Sequence, residues 1–583
     1  MNAGRPAGIR AWPDWVRLVA CLTTGFVLAL GRYDWSDGPA FAVRAYVLSG
    51  VFFTLIVTGA YAVARVLAPA RPTFLWPALG AVTLWLNLPY RWLQIDGWSY
   101  YASRPAVYAV QQEFSPEWLG PSSLLSFPRG LWHWTDWFLL TVLCLGLLLG
   151  IVGLLFFRLR STGPTDHRKG LFFLSLFACL TIETWMHISN RSPYTYITHY
   201  EQPASARYLY ARTLLPDDQG HANADVLYFV GLEEYFQGQH ENSQTLLIRR
   251  AFLFYVSSHV SFFLGHYHAF LLLNILLWML ATACTHAFCR DLGGSPTLAA
   301  CAAFLVGIGP GFIMYAAQPM SYLAGYAGLA IVVCLYHKLV AASGLRSPAA
   351  LYAAGVLIGL MMLTYDTFGW LVFFFAYPML RRVSPFRALP AIALGAALYA
   401  FFLILVFQVF HLPRENSNDA YLLEAIRDAL HLFLHPDATK ILSLMREIPV
   451  KYGTQLMRVL FYGPILLATL GILLPPSARG VRSAGLMLLL PSFLSFLILH
   501  FAESYLSMLP RFNFAAYLGV ILLAAGFLDR VAAHFRSRQQ FLAARLSLVL
   551  PLAACAIFNN LDAFGVRPDL YYHFYNNSGG NFP

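Results

Sequence analysis

Charge is what this sequence has least of. Only 11% of its 583 residues are Asp, Glu, Lys or Arg, where a soluble globular chain carries about 25%. With 58% apolar residues and a mean hydropathy of +0.58, the composition excludes a soluble enzyme and a disordered chain. No CxxC pair occurs, and all eight cysteines fall within apolar runs or at their ends. A disulfide-stapled secreted domain is therefore excluded as well. Nor is there a Lys/Arg tract, a zinc-finger spacing or a Walker loop, so the net charge of +11 does not point to nucleic acid. The positive charge sits in short loops between apolar runs, where it sets membrane orientation. What is left is an all-α, polytopic integral membrane protein. Met1 to Arg17 is basic and leads into an apolar run without a small-residue cleavage site, which reads as a retained first helix.

A bilayer-crossing helix needs about 20 mainly apolar residues. The sequence offers about fifteen candidates by that standard. The first five are at about 13–31, 43–64, 73–90, 135–157 and 170–187. The next five are at about 268–288, 297–316, 321–337, 349–365 and 369–380. The last five are at about 388–410, 459–476, 483–501, 512–529 and 546–558. With the N-terminus in the cytoplasm, alternation gives short, basic inner loops. Examples are Arg158, Arg160, Arg168 and Lys169; Arg381, Arg382 and Arg387; and Arg530, Arg536, Arg538 and Arg545. That agrees with the positive-inside rule. Three outer segments are long, at about 91–134, 188–267 and 411–458, and most carboxylates sit there. Loops of that length are commonly functional, so the chemistry is expected on the extracytoplasmic face. Ionisable residues inside the spans are few: Asp136, Glu183, Asp366, His286 and His337, all near span ends. With no clear inverted repeat and no matched pair of broken helices, this weighs against a transporter.

The outer segment after the fifth span is the richest. It runs Asn223-Ala-Asp225-Val-Leu-Tyr228-Phe-Val-Gly231-Leu-Glu233-Glu234-Tyr235-Phe-Gln-Gly238 and continues to Arg249-Arg250 before an apolar, aromatic stretch. The pattern predicts a short amphipathic helix ended by Gly238, then an interfacial helix leading into the sixth span. An enzyme using a polyprenyl-phosphate sugar needs a cation where the lipid phosphate departs. Arginine suits it, with a planar fork of donors. It also needs a carboxylate to take the acceptor hydroxyl's proton. Asp225 is the first choice for that base, with Glu233 and Glu234 as reserves.

The order of aspartate, tyrosine three residues on, helix, glycine, then arginine before an apolar run resembles the first outer loop of the GT-C superfamily of membrane glycosyltransferases. Later stretches are also similar to that family: Leu273-Asn274, His286-Ala-Phe-Cys-Arg290, Gly309-Pro310, Gly355 to Asp366, and Leu509-Pro510-Arg511-Phe512. The resemblance covers roughly 170–530. It implies a GT-C-like core using a polyprenyl-phosphate sugar donor, with Asp225 as base, Arg249, Arg250 and Arg511 at the donor phosphate, and Tyr228 lining the sugar pocket. Two features depart from the family. Residues 187–224 separate Asp225 from the preceding span, and spans one to four form an added module. Asp96, in Gln94-Ile-Asp96-Gly97-Trp98, also follows a span and precedes aromatics, so it is a rival for the base.

Plainer roles compete at each position. Asp225 suits a helix N-cap, and Arg249, Arg250 and Arg511 suit interfacial anchors. Glu233 and Glu234 suit a solvated helix face. His259, His266 and His268 lack a further ligand to complete a metal set, so no metal ligand is assigned. No cofactor is identified, and a divalent metal is left open. In 411–458, polar Glu424, Arg427, Asp428, His431 and His435 oppose Leu422, Ile426, Leu430 and Leu434, as in a helix lying on the bilayer surface. The sharper reading of that loop is a lid with Lys451 facing a phosphate.

The expected division is a transmembrane module at 1–169, a core at 170–530 with a catalytic outer loop at 188–267 and a second at 411–458, and a last span and tail at 531–583. The expected activity is inverting transfer from a lipid-phosphate sugar to an acceptor hydroxyl on a glycan, lipid or protein, with no nucleic-acid partner. The expected location is a bacterial inner membrane with a periplasmic active site, since arginine far outnumbers lysine. The alternatives are a transporter or flippase of lipid-linked saccharides, and a non-catalytic subunit of envelope polysaccharide assembly.

Overall fold

Serine–proline pairs start helices in this chain and glycines stop them. The computed structural model describes residues 19–26, 39–67, 253, 256–257, 266–309, 312, 322–365, 372–373, 385–405, 419–460, 462–474, 478–503 and 515–560. Among these residues the regular structure is all helical. The helices are α1 (Pro39–Leu67), α2 (His266–Asp291), α3 (Pro296–Gly307), α4 (Tyr322–Ser343), α5 (Pro348–Thr364) and α6 (Pro385–Ile404). They continue with α7 (Asp419–Leu434), α8 (Ala438–Leu460), α9 (Tyr462–Leu473), α10 (Arg479–Phe501), α11 (Ala516–Ser537) and α12 (Phe541–Asn560). The α2–α3 corner shows the local logic. Gly293 takes φ +80, which a Cβ would oppose. Ser295 then caps α3 by accepting from the Leu298 N–H at 3.0 Å. Pro296 follows at the first helical position, where no N–H is needed. Ser347 and Pro348 repeat the start at α5.

Among the described residues, four helices contain stretches long and apolar enough to cross a membrane: Tyr46–Val63, Tyr322–Ala341, Arg479–Phe501 and Ala516–Ser537. Shorter apolar helices accompany them at Pro296–Gly307, Pro348–Thr364, Ala388–Ile404, Gly463–Leu473 and Phe541–Ala556. The stretches on α4 and α11 are each 78% buried, those on α1 and α10 only 44% and 50%. So α4 and α11 are the centre, and α1 and α10 keep a flank for lipid. Val43, Val47 and Val51 on α1, and Leu546, Val549 and Leu550 on α12, are exposed. Stripes of that kind suit acyl chains and would aggregate in water.

Small residues let the backbones close. α3 is buried at every position from Thr297 to Gly307, with four alanines among them. A Cβ on Gly519 would stand 2.7 Å from the Gly485 carbonyl oxygen, and one on Gly395 would stand 3.0 Å from that of Gly355. Thus α10–α11 and α5–α6 are glycine-mediated crossings. α1 joins the same body: the Tyr352 hydroxyl of α5 donates to the Leu55 carbonyl at 2.5 Å.

The expected spans map onto these helices with two shifts. α3 ends at Gly307, short of 316, because the chain turns through Ile308 and Gly309 ahead of Pro310. α11 runs on to Ser537, past 529, because Ala532 still packs inside while Arg530, His534 and Arg536 belong to its polar end. The expected spans at 73–90, 135–157 and 170–187 lie outside the described residues, as do the 169/170 boundary and nearly all of 369–380.

Candidate functional site

The two ends of the bundle can be told apart from their contacts. At one end, Lys338 of α4 pairs with Asp291 of α2 at 2.6 Å. Ser295 donates to Asp529 of α11 at 2.5 Å, and Arg536 donates to the Thr297 hydroxyl at 3.2 Å. Arg482 of α10 donates to the Ile472 carbonyl of α9 at 2.8 Å. The C-termini of α2, α4, α9 and α11 therefore meet the N-termini of α3 and α10. This end also carries Arg290, Arg346, Arg479, Arg530, Arg538 and Arg545, beside only Asp291 and Asp529 among the described carboxylates.

One layer deeper, Tyr517 donates to the Tyr326 carbonyl at 2.6 Å. Phe312 lies against Tyr326, Tyr517 and Trp278, and Trp278 donates to the Val306 carbonyl at 3.1 Å. This aromatic knot packs α2, α3, α4 and α11 in a fixed register.

The opposite end holds the N-terminus of α2 and the C-terminus of α10. By sequence, residues 188–265 precede His266 at that end, and 504–514 follow Glu503 there. Asp225, Glu233, Glu234, Tyr228, Arg249 and Arg250 belong to the first segment and Arg511 to the second. All seven, and Asp96, lie outside the described residues, as does His259. His266 and His268 open α2. The segments that hold the expected base and cations thus adjoin this end at His266 and Glu503, remote from the arginine-rich end.

At that same end α7 and α8 clasp α10. Phe433 of α7 meets Phe501 edge-on, with centroids 5.2 Å apart. Lys440 of α8 pairs with Glu503, and hydrogen bonding to that carboxylate raises the ammonium's pKa above its ordinary value. His500, buried at 1% exposure, stacks on Phe496 and puts Nε2 2.9 Å from the Leu444 carbonyl. A carbonyl only accepts, so Nε2 carries the hydrogen. Lower down, Tyr452 donates to Ser492 at 3.2 Å and packs on Phe493 and Phe496. The order 440–503, 444–500, 452–492 is antiparallel: α8 runs down alongside α10.

Segment 411–458 also has a face turned toward the protein. On α7 the packed face is Ala425, Ala429 and Leu432, while Leu430 and Leu434 of the expected apolar stripe are 56% and 74% exposed. The small alanines permit the close approach that leucines would block. Lys451 pairs with Glu447 one turn back at 2.7 Å, so its charge is already met. Sequence reading did not single out Ser295, Ser492 and His500. Asp529 and Arg530 stand at the end of an apolar run, which is the one hint at the Ser295 contact.

Six cysteines, Cys21, Cys284, Cys289, Cys301, Cys334 and Cys555, are free thiols. Among the described residues no three His, Cys, Asp or Glu side chains gather as a metal site would require. Compared with known protein families, curated proteins and solved structures, the chain matches none of them.

Proposed function

We propose that this chain is a GT-C-type membrane glycosyltransferase that moves a sugar from a polyprenyl-phosphate donor to an acceptor hydroxyl on the extracytoplasmic side. One observation supports the reading: His266, which follows the segment holding Asp225, Arg249 and Arg250, and Glu503, which precedes the segment holding Arg511, lie at the same end of the helical body, opposite the end rich in arginine. By the positive-inside rule the arginine-rich end is cytoplasmic. The acid and the remaining arginines then share the outer face, where a lipid-linked donor would present its phosphate.

The chemistry follows from those groups. Asp225 accepts the proton of the acceptor hydroxyl as its oxygen attacks the anomeric carbon. The new glycosidic bond forms on the face opposite the departing phosphate, so configuration inverts. The bond between anomeric carbon and phosphate oxygen breaks, and the lipid phosphate leaves with the electron pair. Arg249, Arg250 and Arg511 hold that growing negative charge, which is worth most where water is scarce. Tyr228, three residues after Asp225, offers a wall for the sugar.

The test is group transfer itself. Membranes containing the chain are supplied with radiolabelled polyprenyl-phosphate sugar and acceptor, and label is followed from the lipid to the aqueous or acceptor fraction. Transfer with release of free lipid phosphate is expected. Movement of intact donor across the bilayer, with no bond broken, would replace this reading by a flippase. Neither event would leave a non-catalytic subunit.

A further inference from the structure

The antiparallel descent of α8 along α10 has a consequence for depth. Take α10 as a membrane span with Arg482 near one interface. Ser492 lies ten positions further on, about 15 Å at 1.5 Å per residue. That is half of a hydrocarbon core about 30 Å thick. His500 and Glu503, a further two to three turns along, reach the other interface. Because Tyr452 meets Ser492 and Lys440 meets Glu503, α8 starts at the interface and sinks to the level of the membrane centre.

Its side chains divide accordingly. At about 100° per residue, one sector holds Leu444, Ile441, Ile448 and Tyr452, which turn toward the protein. The next holds Met445, Leu442, Pro449 and Val450, all exposed, with Met445 at 54% and Leu442 at 52%. Only Arg446 interrupts it, and a long arginine stem can reach back to headgroups. The third sector holds Ser443, Glu447, Lys440 and Lys451. α7 shows the same division: Ala425, Ala429 and Leu432 turned inward, Ile426, Leu430, Phe433 and Leu434 next, then Arg427, His431 and Asp428.

We infer that α8, which α9 continues to the arginine-rich end, is the first half of a membrane crossing clasped to α10, whose Leu442–Met445–Pro449 flank lies against lipid acyl chains and whose Ser443–Glu447–Lys451 edge lines a water-filled cleft cut into the same leaflet. Two facts favour lipid over a protein on the apolar flank. The flank begins at the interface and continues to a depth where the flanks of the spans themselves meet acyl chains. Beside it the Glu447 and Lys451 side chains, 47% and 36% exposed, form an ion pair that hydrocarbon would not tolerate, so water must reach that edge. The inference stands on α10 being a span and holds whatever reaction the chain performs.

The test uses the full chain in liposomes, with Met445→Cys, Leu442→Cys and Ser443→Cys each carrying a bimane fluorophore and the wild type labelled as blank. Doxyl groups on lipid acyl chains should quench bimane at 442 and 445, more from a deep doxyl at 445 than at 442, while aqueous iodide leaves both bright. At 443 the pattern should reverse. Iodide quenching at 445 without doxyl quenching would place the helix on the surface in water. Quenching by neither would mean a protein partner covers the flank. Either result overturns the inference.

Discussion

Ser295 donates a hydrogen bond to Asp529 at 2.5 Å across 234 positions of sequence, while the same hydroxyl accepts from the Leu298 N–H at 3.0 Å. One side chain therefore caps the buried helix α3 and satisfies a carboxylate that is 2% exposed. Its neighbour Thr297 accepts from Arg536, so the start of α3 is tied twice to the end of α11. Ser295→Ala should destabilise the protein by about 1–3 kcal/mol, since it removes a cap and an oxygen's donor together. Thermal unfolding in detergent reads this directly. Ser295→Thr, which keeps the hydroxyl, should recover most of the loss. An unchanged transition in the alanine variant would show that the contact carries no stability.

The α10–α11 crossing supplies a second expectation. A Cβ at Gly519 would lie 2.7 Å from a backbone oxygen of Gly485, and backbone cannot step aside as a flexible side chain can. Gly519→Ala should cost about 1–3 kcal/mol by forcing the helices apart. Gly453 on α8 is the control, because a Cβ there meets nothing within 4 Å. Gly453→Ala should be neutral or stabilise by about 0.5–1 kcal/mol through helix propensity. Equal effects of the two substitutions would contradict the assignment of Gly519 as a point of backbone contact.

The two ends of the bundle should label from opposite sides of a membrane. Arg346→Cys and Gln539→Cys, in the turns after α4 and α11, belong to the arginine-rich end. Asp437→Cys, between α7 and α8, belongs to the other. A membrane-impermeant maleimide added to right-side-out vesicles should modify position 437 and spare 346 and 539, and inverted vesicles should reverse the pattern. Labelling of all three from one side would break the alternation of helix directions.

Helices were legible wherever an apolar run was long and bounded by charge. α1, α2, α4, α5 and α10 lie within a few residues of the runs at 43–64, 268–288, 321–337, 349–365 and 483–501. Their side-by-side arrangement was not, because it depends on glycines and alanines such as Gly485, Gly519 and Ala299, which carry no periodic signal of their own. The amphipathic character of 419–434 could be read, but not its packed face. Large apolar residues usually mark a buried stripe, and here Ala425 and Ala429 win because only they let α7 reach α10. The descent of α8 was hidden for a related reason. Lys440, Glu447 and Lys451 look like a surface helix until Tyr452 is seen to meet Ser492, forty positions away. At the candidate site, chemistry was the legible part: a carboxylate at 225 and arginines at 249, 250 and 511, in segments that adjoin His266 and Glu503 in sequence.

The most direct measurement is sugar transfer by Asp225→Asn in membranes supplied with polyprenyl-phosphate sugar, at matched protein levels. A positioned general base contributes roughly 10²–10⁴-fold. The asparagine variant, which fits the same space but cannot take the proton, should therefore lose at least about 100-fold in kcat with donor binding retained. Transfer at the unaltered rate would contradict the account, and would leave the arginines of that face without a reaction to serve.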